Sequence, residues 1–153
     1  MRFLSIRRRL VLPAIAALLV AVAFASVAPA ATTSVTFKLK GQYAKQIRSA
    51  CGKRKRFRLY HRNSTIEFKG VLTPHPARHF SVAMKVERCS AGRYRKFHTY
   101  HTRGKNLTGK YKGFLKARGL APRSHRRRAI VYYVARVRAG GVLSRRVFFA
   151  VTN

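Results

Sequence analysis

From Ser34 onward, apolar and polar residues alternate with a period of two rather than 3.6, the pattern of half-buried strands. SVTFKLK (34–40) sets Val35, Phe37 and Leu39 against Thr36, Lys38 and Lys40. In KRKRFRLYHR (53–62), Phe57 and Leu59 share one face, while Arg54, Arg56, Arg58, Tyr60 and Arg62 share the other. TIEFKGVL (65–72) aligns Ile66, Phe68 and Leu72, and FSVAMKVE (80–87) aligns Phe80, Val82, Met84 and Val86. YRKFHTYHT (94–102), KYKGFLK (110–116), AIVYYVARVR (129–138) and RRVFFAV (145–151) complete the set, with Ser90-Ala91-Gly92, Arg103-Gly104-Lys105-Asn106 and Ala139-Gly140-Gly141 as turns. Some seven to eight strands at this spacing predict an antiparallel all-β sandwich or barrel with one face of each strand buried. AIVYYVARVR is apolar on both faces over its first half, which places it centrally. No helical pattern of useful length follows residue 30, and ARGLAPRSHRRR (117–128) reads as a loop rich in arginine.

The first thirty residues follow a different rule. Arg2, Arg7, Arg8 and Arg9 precede Leu10–Phe24, an uncharged apolar run of 15 residues. A spanning helix needs ~20. The run ends in Ala28 and Ala30 at A-x-A spacing, which predicts a secretory signal peptide over 1–30 and one domain over 31–153. Ala23-Phe24-Ala25 offers cleavage after Ala25 instead, and retention as an N-terminal anchor is the rival reading. The exported chain then holds no transmembrane span and is secreted or attached to the cell envelope. In that oxidising space the only two cysteines, Cys51 and Cys89, favour a disulfide over two free thiols. It would close a loop of about 38 residues and contribute roughly 3–4 kcal/mol. A metal pair is disfavoured, because neither has a second Cys or His at ligand spacing.

Charge sets the choice of partner. The formal net charge is +33, and loss of the four leader arginines leaves +29, opposed only by Glu67 and Glu87. Such a chain repels itself and favours polyanionic company: wall polymers, lipopolysaccharide, nucleic acid or acidic lipid. Arg outnumbers Lys by 23 to 12, which suggests a GC-rich genome and accounts for part of the arginine content. Two stretches concentrate the charge. Arg54, Arg56, Arg58 and Arg62 form a comb on one strand face at steps of about 6.6–7 Å, near phosphate spacing along a nucleic-acid strand. Tyr60 lies among them, placed to stack on a base. The loop contributes Arg123, Arg126, Arg127 and Arg128, and Arg136 and Arg138 extend from another strand. A nuclear address is excluded behind an export signal.

Catalysis finds little to work with. Glycoside hydrolysis needs two carboxyl groups in distinct protonation states, and both acids here sit in cleanly alternating strands beside basic residues. There is no Asp for a triad and no phosphate loop. His61, His75, His79, His98, His101 and His125 leave general acid–base cleavage of a phosphodiester as the enzymatic alternative. His98 and His101, three apart in a strand, face opposite ways. A cationic antimicrobial protein is a further alternative, although the usual amphipathic helix is missing.

One resemblance emerges from the order of GVLTP (70–74), then Val82, Val86 and Arg88, GRY (92–94), ARV (135–137), and Ser144 with VFFAV (147–151). Over roughly residues 65–151 the chain resembles small immunoglobulin-like or fibronectin-III-like sandwich modules of secreted actinobacterial proteins. Tyr94 stands where that pattern has Trp. The resemblance implies an immunoglobulin-like sandwich that displays or binds and carries no chemistry of its own. The expectation is therefore a secreted, non-catalytic module without cofactor or small-molecule substrate.

Overall fold

Three two-residue turns fix three hairpins. Cys51-Gly52 (φ 47° and 68°), Ala91-Gly92 (48° and 74°) and Gly140-Gly141 (53° and 81°) are left-handed at both positions. That is the turn geometry whose twist matches the strands it joins. The pairs Ala50↔Lys53, Ser90↔Arg93 and Ala139↔Val142 close directly on them.

The computed structural model describes residues 33–123 and 129–153. The expected signal peptide (1–30) and His125, Arg126, Arg127 and Arg128 lie outside the described residues. The strands are β1 (Ser34–Val35), β2 (Lys38–Lys40), β3 (Ala44–Ala50), β4 (Lys53–His61), β5 (Thr65–Thr73) and β6 (Phe80–Ser90). There follow β7 (Arg93–Gly104), β8 (Lys110–Lys116), β9 (Ile130–Ala139), β10 (Val142–Leu143) and β11 (Val147–Thr152). A 3-10 turn at Ala117–Leu120 is the one helical element among the described residues, and no helix there is long and apolar enough to cross a membrane.

All strands join one sheet in the order β1-β5-β8-β7-β6-β9-β11-β4-β3, with β2 on β5 and β10 on β9. The all-β class is as expected, and AIVYYVARVR (as β9) lies between β6 and β11. Two details differ. The sheet is mixed, because β11 runs parallel to β4 from Phe149↔Arg58 to Thr152↔His61. The strand count is eleven, because SVTFKLK breaks at Thr36-Phe37, Ala44–Ala50 forms a strand that alternation does not reveal, and Val142–Leu143 adds a short one after the Gly140-Gly141 turn. At the break, Thr36 N–H bonds Val71 O at 2.9 Å, so the segment stays on β5 without a regular ladder.

The main core collects Leu39, Ile66, Phe68, Tyr111 and Leu115 from β2, β5 and β8. Against them lie Tyr60, Val82, Met84, Val86, Tyr133, Val137, Phe149 and Val151 from β4, β6, β9 and β11. The join between β7 and β8 is the single pair Gly104↔Tyr111. Burial of these side chains contributes roughly 1.5–3 kcal/mol each before entropy is set against it. Tyr133 stacks on Phe149 at 5.2 Å and its hydroxyl donates to Leu120 O.

Tyr60 is fully buried, edge-on to Phe149, and its hydroxyl has no protein partner. A buried, unpaired hydroxyl costs about 1–3 kcal/mol. Tyr60→Phe is therefore expected to leave stability unchanged or raise it by roughly 1 kcal/mol, read from denaturant midpoints. A loss of 2 kcal/mol or more would show that the hydroxyl is paired.

Candidate polyanion interface

β4 has two environments. Residues Lys53–Phe57 pair only with β3, whereas Arg58–His61 lie between β3 or its approach and β11. The same strand face therefore passes from solvent into the core along its length. Arg54 and Arg56 are exposed as expected. Arg58 is half-buried, its Nη1 donating to Leu39 O at 2.9 Å and reaching Gln42 Oε1 at 3.5 Å. It ties β4 to the β2–β3 corner. Tyr60, at 0% exposure, cannot reach a base, so its proposed stacking role is corrected. The apolar edge, Phe57 and Leu59, packs on the opposite side of the sheet with Ala50 and Ala150. Phe57 meets Tyr132 at 5.0 Å and Phe148 at 5.7 Å, both edge-on.

This second apolar cluster is roofed by two hairpin ends. Cys51, at the β3–β4 turn, is bonded to Cys89 near the β6–β7 turn, with Cα atoms 5.8 Å apart. The expected disulfide is present. Tyr94, paired with Cys89, lies 6.1 Å from Phe148, and burial pushes its hydroxyl pKa upward. The bridge thus sets exposed Arg48, Lys53, Arg54, Lys55 and Arg56 beside exposed Arg93, Arg95 and Lys96. The last three escape a reading of charge runs, although the cysteine pairing itself implies their place.

Like charges face one another here. Arg48 lies directly opposite Lys55, Lys45 opposite Arg58 and Arg88 opposite Arg95. Such pairs oppose the sheet by roughly 0.2–1 kcal/mol each. Glu87 lies directly opposite Lys96 but is ion-paired with Arg136 at 3.9 Å, and Glu67 is engaged away from this end with Lys69 at 3.5 Å and Lys112 at 3.9 Å. Gln46 Oε1 holds Arg48 through Nε at 3.0 Å and Nη2 at 2.6 Å, leaving the guanidinium aimed but not neutralised.

The remaining arginines lie apart from this end. Arg62 is half-buried in the turn after β4, and Arg123 is exposed beyond the 3-10 turn. Arg136 is paired with Glu87, while Arg138 is exposed on β9 opposite Ala83. His61 stacks on Tyr43 at 3.9 Å, and His98 packs against Tyr100. His98 lies opposite Val86 and His101 opposite Ala83, on opposite faces. His79 and His101 do share a cleft of about 590 Å³ with Ser81 and Arg103. His79 Nδ1 lies 3.2 Å from Gly104 O, and since a carbonyl can only accept, Nδ1 is the donating nitrogen and Nε2 is the one left to face the cleft. Among the described residues no group of three or more His, Cys, Asp or Glu could hold a metal. No protein-family model matches the chain, and no curated protein matches it significantly.

Proposed function

We propose that the chain is an exported, non-catalytic binding or structural module that holds anionic polymers of the cell envelope or extracellular space. Wall polymers, lipopolysaccharide and extracellular nucleic acid share the chemistry it would recognise: repeated negative charge on an extended chain. The observation that carries the reading is the bridged end, where two arginine- and lysine-rich hairpin tips are held together and the one carboxylate near them, Glu87 opposite Lys96, is already paired with Arg136. Strand pairing and a covalent link hold the backbone beneath these cations in place, so the ordering entropy that opposes binding is confined to their side chains. The accompanying fold reading is an immunoglobulin-like display module, supported by the core shared between β2-β5-β8 and β4-β6-β9-β11; the parallel β4–β11 pair is its departure from an all-antiparallel sandwich.

A salt titration tests this with a labelled single-stranded RNA–DNA chimera. Binding through Z phosphates falls along a log–log slope of about −0.7Z. Arg54→Ala with Arg56→Ala is expected to make the slope shallower by about 1.4, and Arg93→Ala with Arg95→Ala by a similar amount. Unchanged slopes in both variants would place binding elsewhere. Arg58 is left intact because its bond to Leu39 O is structural.

The same probe reports on a second reading, which the cleft of His79 and His101 favours. His79 Nε2 would take the proton of a ribose 2′-hydroxyl, whose oxygen attacks phosphorus. A protonated His101 would give its proton to the departing 5′-oxygen, leaving a cyclic phosphate. Cleavage at the ribonucleotides, lost in His79→Ala and in His101→Ala, would establish that reading over the passive one.

A further inference from the structure

The sheet carries a second cationic surface whose residues are scattered along the sequence and meet only through strand pairing. On the outward face of β2, β5 and β8, Lys38 lies opposite Lys69, and Lys69 opposite Lys112. One rung along, Gly70 lies opposite Tyr111, and two rungs along Val71 lies opposite Lys110. Neighbouring strands stand about 4.8 Å apart, so three ammonium groups form a row at close quarters. Arg103 and Lys105 join from the β7–β8 hairpin end, where Lys105 N–H bonds Lys110 O at 2.8 Å. Thr102 Oγ1 also bonds Lys112 O at 2.9 Å. These six cations line one cleft of about 570 Å³, with Gly70, Val71 and Tyr111 among its apolar lining.

The cleft is built on strands rather than on loops. Tyr111 donates its hydroxyl to Thr36 O, which locks the floor beneath Gly70. A Cβ at Gly70 would lie 1.9 Å from Thr36 O and 2.4 Å from the Tyr111 hydroxyl, so the floor closes only over glycine. Glu67 touches Lys69 and Lys112 at the margin and answers one of the six charges. Crowding extends beyond the cleft: Lys69, hydrogen-bonded and repelling, holds the Lys40 ammonium pKa below its ordinary value, although Glu67 pulls it back.

We propose that this cleft is a site for a compact ligand carrying several clustered phosphates. A volume of this size falls in the range of small-ligand sites. Five uncompensated charges within it match a ligand of high charge and small extent better than a singly charged one. Lysine ammonium groups act as point charges, so they accept phosphate oxygens from several directions without the planar fit that arginine demands. The inference stands apart from the arginine-rich end and does not rest on polymer binding there. Free polyphosphate and a phosphorylated lipid headgroup present the same chemistry.

Calorimetry of the exported domain with tripolyphosphate, pyrophosphate and monophosphate at moderate salt tests it. The expected result is one site per chain for tripolyphosphate, with affinity falling as phosphates are removed. Lys38→Gln with Lys110→Gln, which leaves both Glu67 ion pairs in place, is expected to weaken tripolyphosphate roughly tenfold. Arg54→Gln with Arg56→Gln is expected to leave it unchanged while weakening the single-stranded probe. Phosphatidylcholine vesicles doped with a phosphoinositide that bears two ring phosphates separate the two sources. Capture sensitive to the cleft variant places the phosphates on a lipid, and its absence beside tripolyphosphate binding places them on a soluble ligand. Many weak equivalents per chain, or tripolyphosphate affinity that falls with the arginine variant and not with the lysine variant, would overturn the proposal.

Discussion

Replacing both Cys51 and Cys89 by serine is expected to lower the melting temperature by roughly 10–15 °C. The bridge closes a 38-residue separation, for which chain entropy gives roughly 3–4 kcal/mol. A domain of this size shifts by about 3–5 °C per kcal/mol. The bridge also works against its surroundings, since it holds together two tips that repel. Arg48 opposite Lys55 and Arg88 opposite Arg95 together oppose the fold by about 2 kcal/mol at most. The covalent link outweighs them. Without it the tips are free to part, and Phe57, Tyr132 and Phe148 lose part of their roof. The serine variant should therefore recover more stability than the parent when salt is raised, because screening removes the force that parts the tips. Its slope for the single-stranded probe should also become shallower as the two arginine groups act separately. Calorimetric melts at two salt concentrations check the first point, and the salt titration of the probe checks the second. An unchanged midpoint would mean that the apolar roof alone holds the hairpins together.

Strand faces were legible in the sequence wherever one side of a strand meets the main core. Val82, Met84 and Val86 against Ser81, Ala83 and Lys85 is the clearest instance. β3 was not legible. Only Ala50 of its seven residues is buried, and Ile47 points outward at 56% exposure, so no apolar period marks it. Arg58 and Tyr60 show a different limit. Alternation gives their common face correctly but cannot tell that this face enters the core beyond Phe57, because that depends on where β11 pairs. The bridged end was half legible. Once Cys51 and Cys89 are joined, the residues on either side must be neighbours, so Arg93, Arg95 and Lys96 follow from the pairing rather than from any charge run. The lysine row was out of reach, because Lys38, Lys69 and Lys112 become neighbours only through the pairing of β2, β5 and β8, which no local pattern encodes.

The second large effect is alkaline unfolding. Desolvation pushes the Tyr133 hydroxyl up to about 12, partly offset by Arg88, and pushes Tyr60 and Tyr111 higher still. In the unfolded chain these groups ionise near 10.0. Above that pH the unfolded state sheds protons that the folded state retains, so stability is fully present below about pH 10 and is lost as pH rises toward 12 and beyond. Tyr133 alone accounts for roughly 3 kcal/mol across that window, and the two deeper hydroxyls add to it. An opposing effect acts in the same range. Lysine side chains ordinarily discharge at pH ~10.4, which relieves self-repulsion. Those ammonium groups are largely exposed and screened within about 8 Å at physiological salt, whereas the buried hydroxyls are not. At that salt the tyrosines prevail and the fold fails cooperatively. At low salt, stability should first rise as the lysines discharge and then collapse. Tyrosinate absorbance and near-ultraviolet circular dichroism, followed together through an alkaline titration, give the reading: the late tyrosine signal should coincide with loss of tertiary structure, and Tyr60→Phe should move that midpoint upward. Complete tyrosine ionisation near pH 10 with the dichroism intact would mean that these hydroxyls are open to solvent, and the core described above would be wrong.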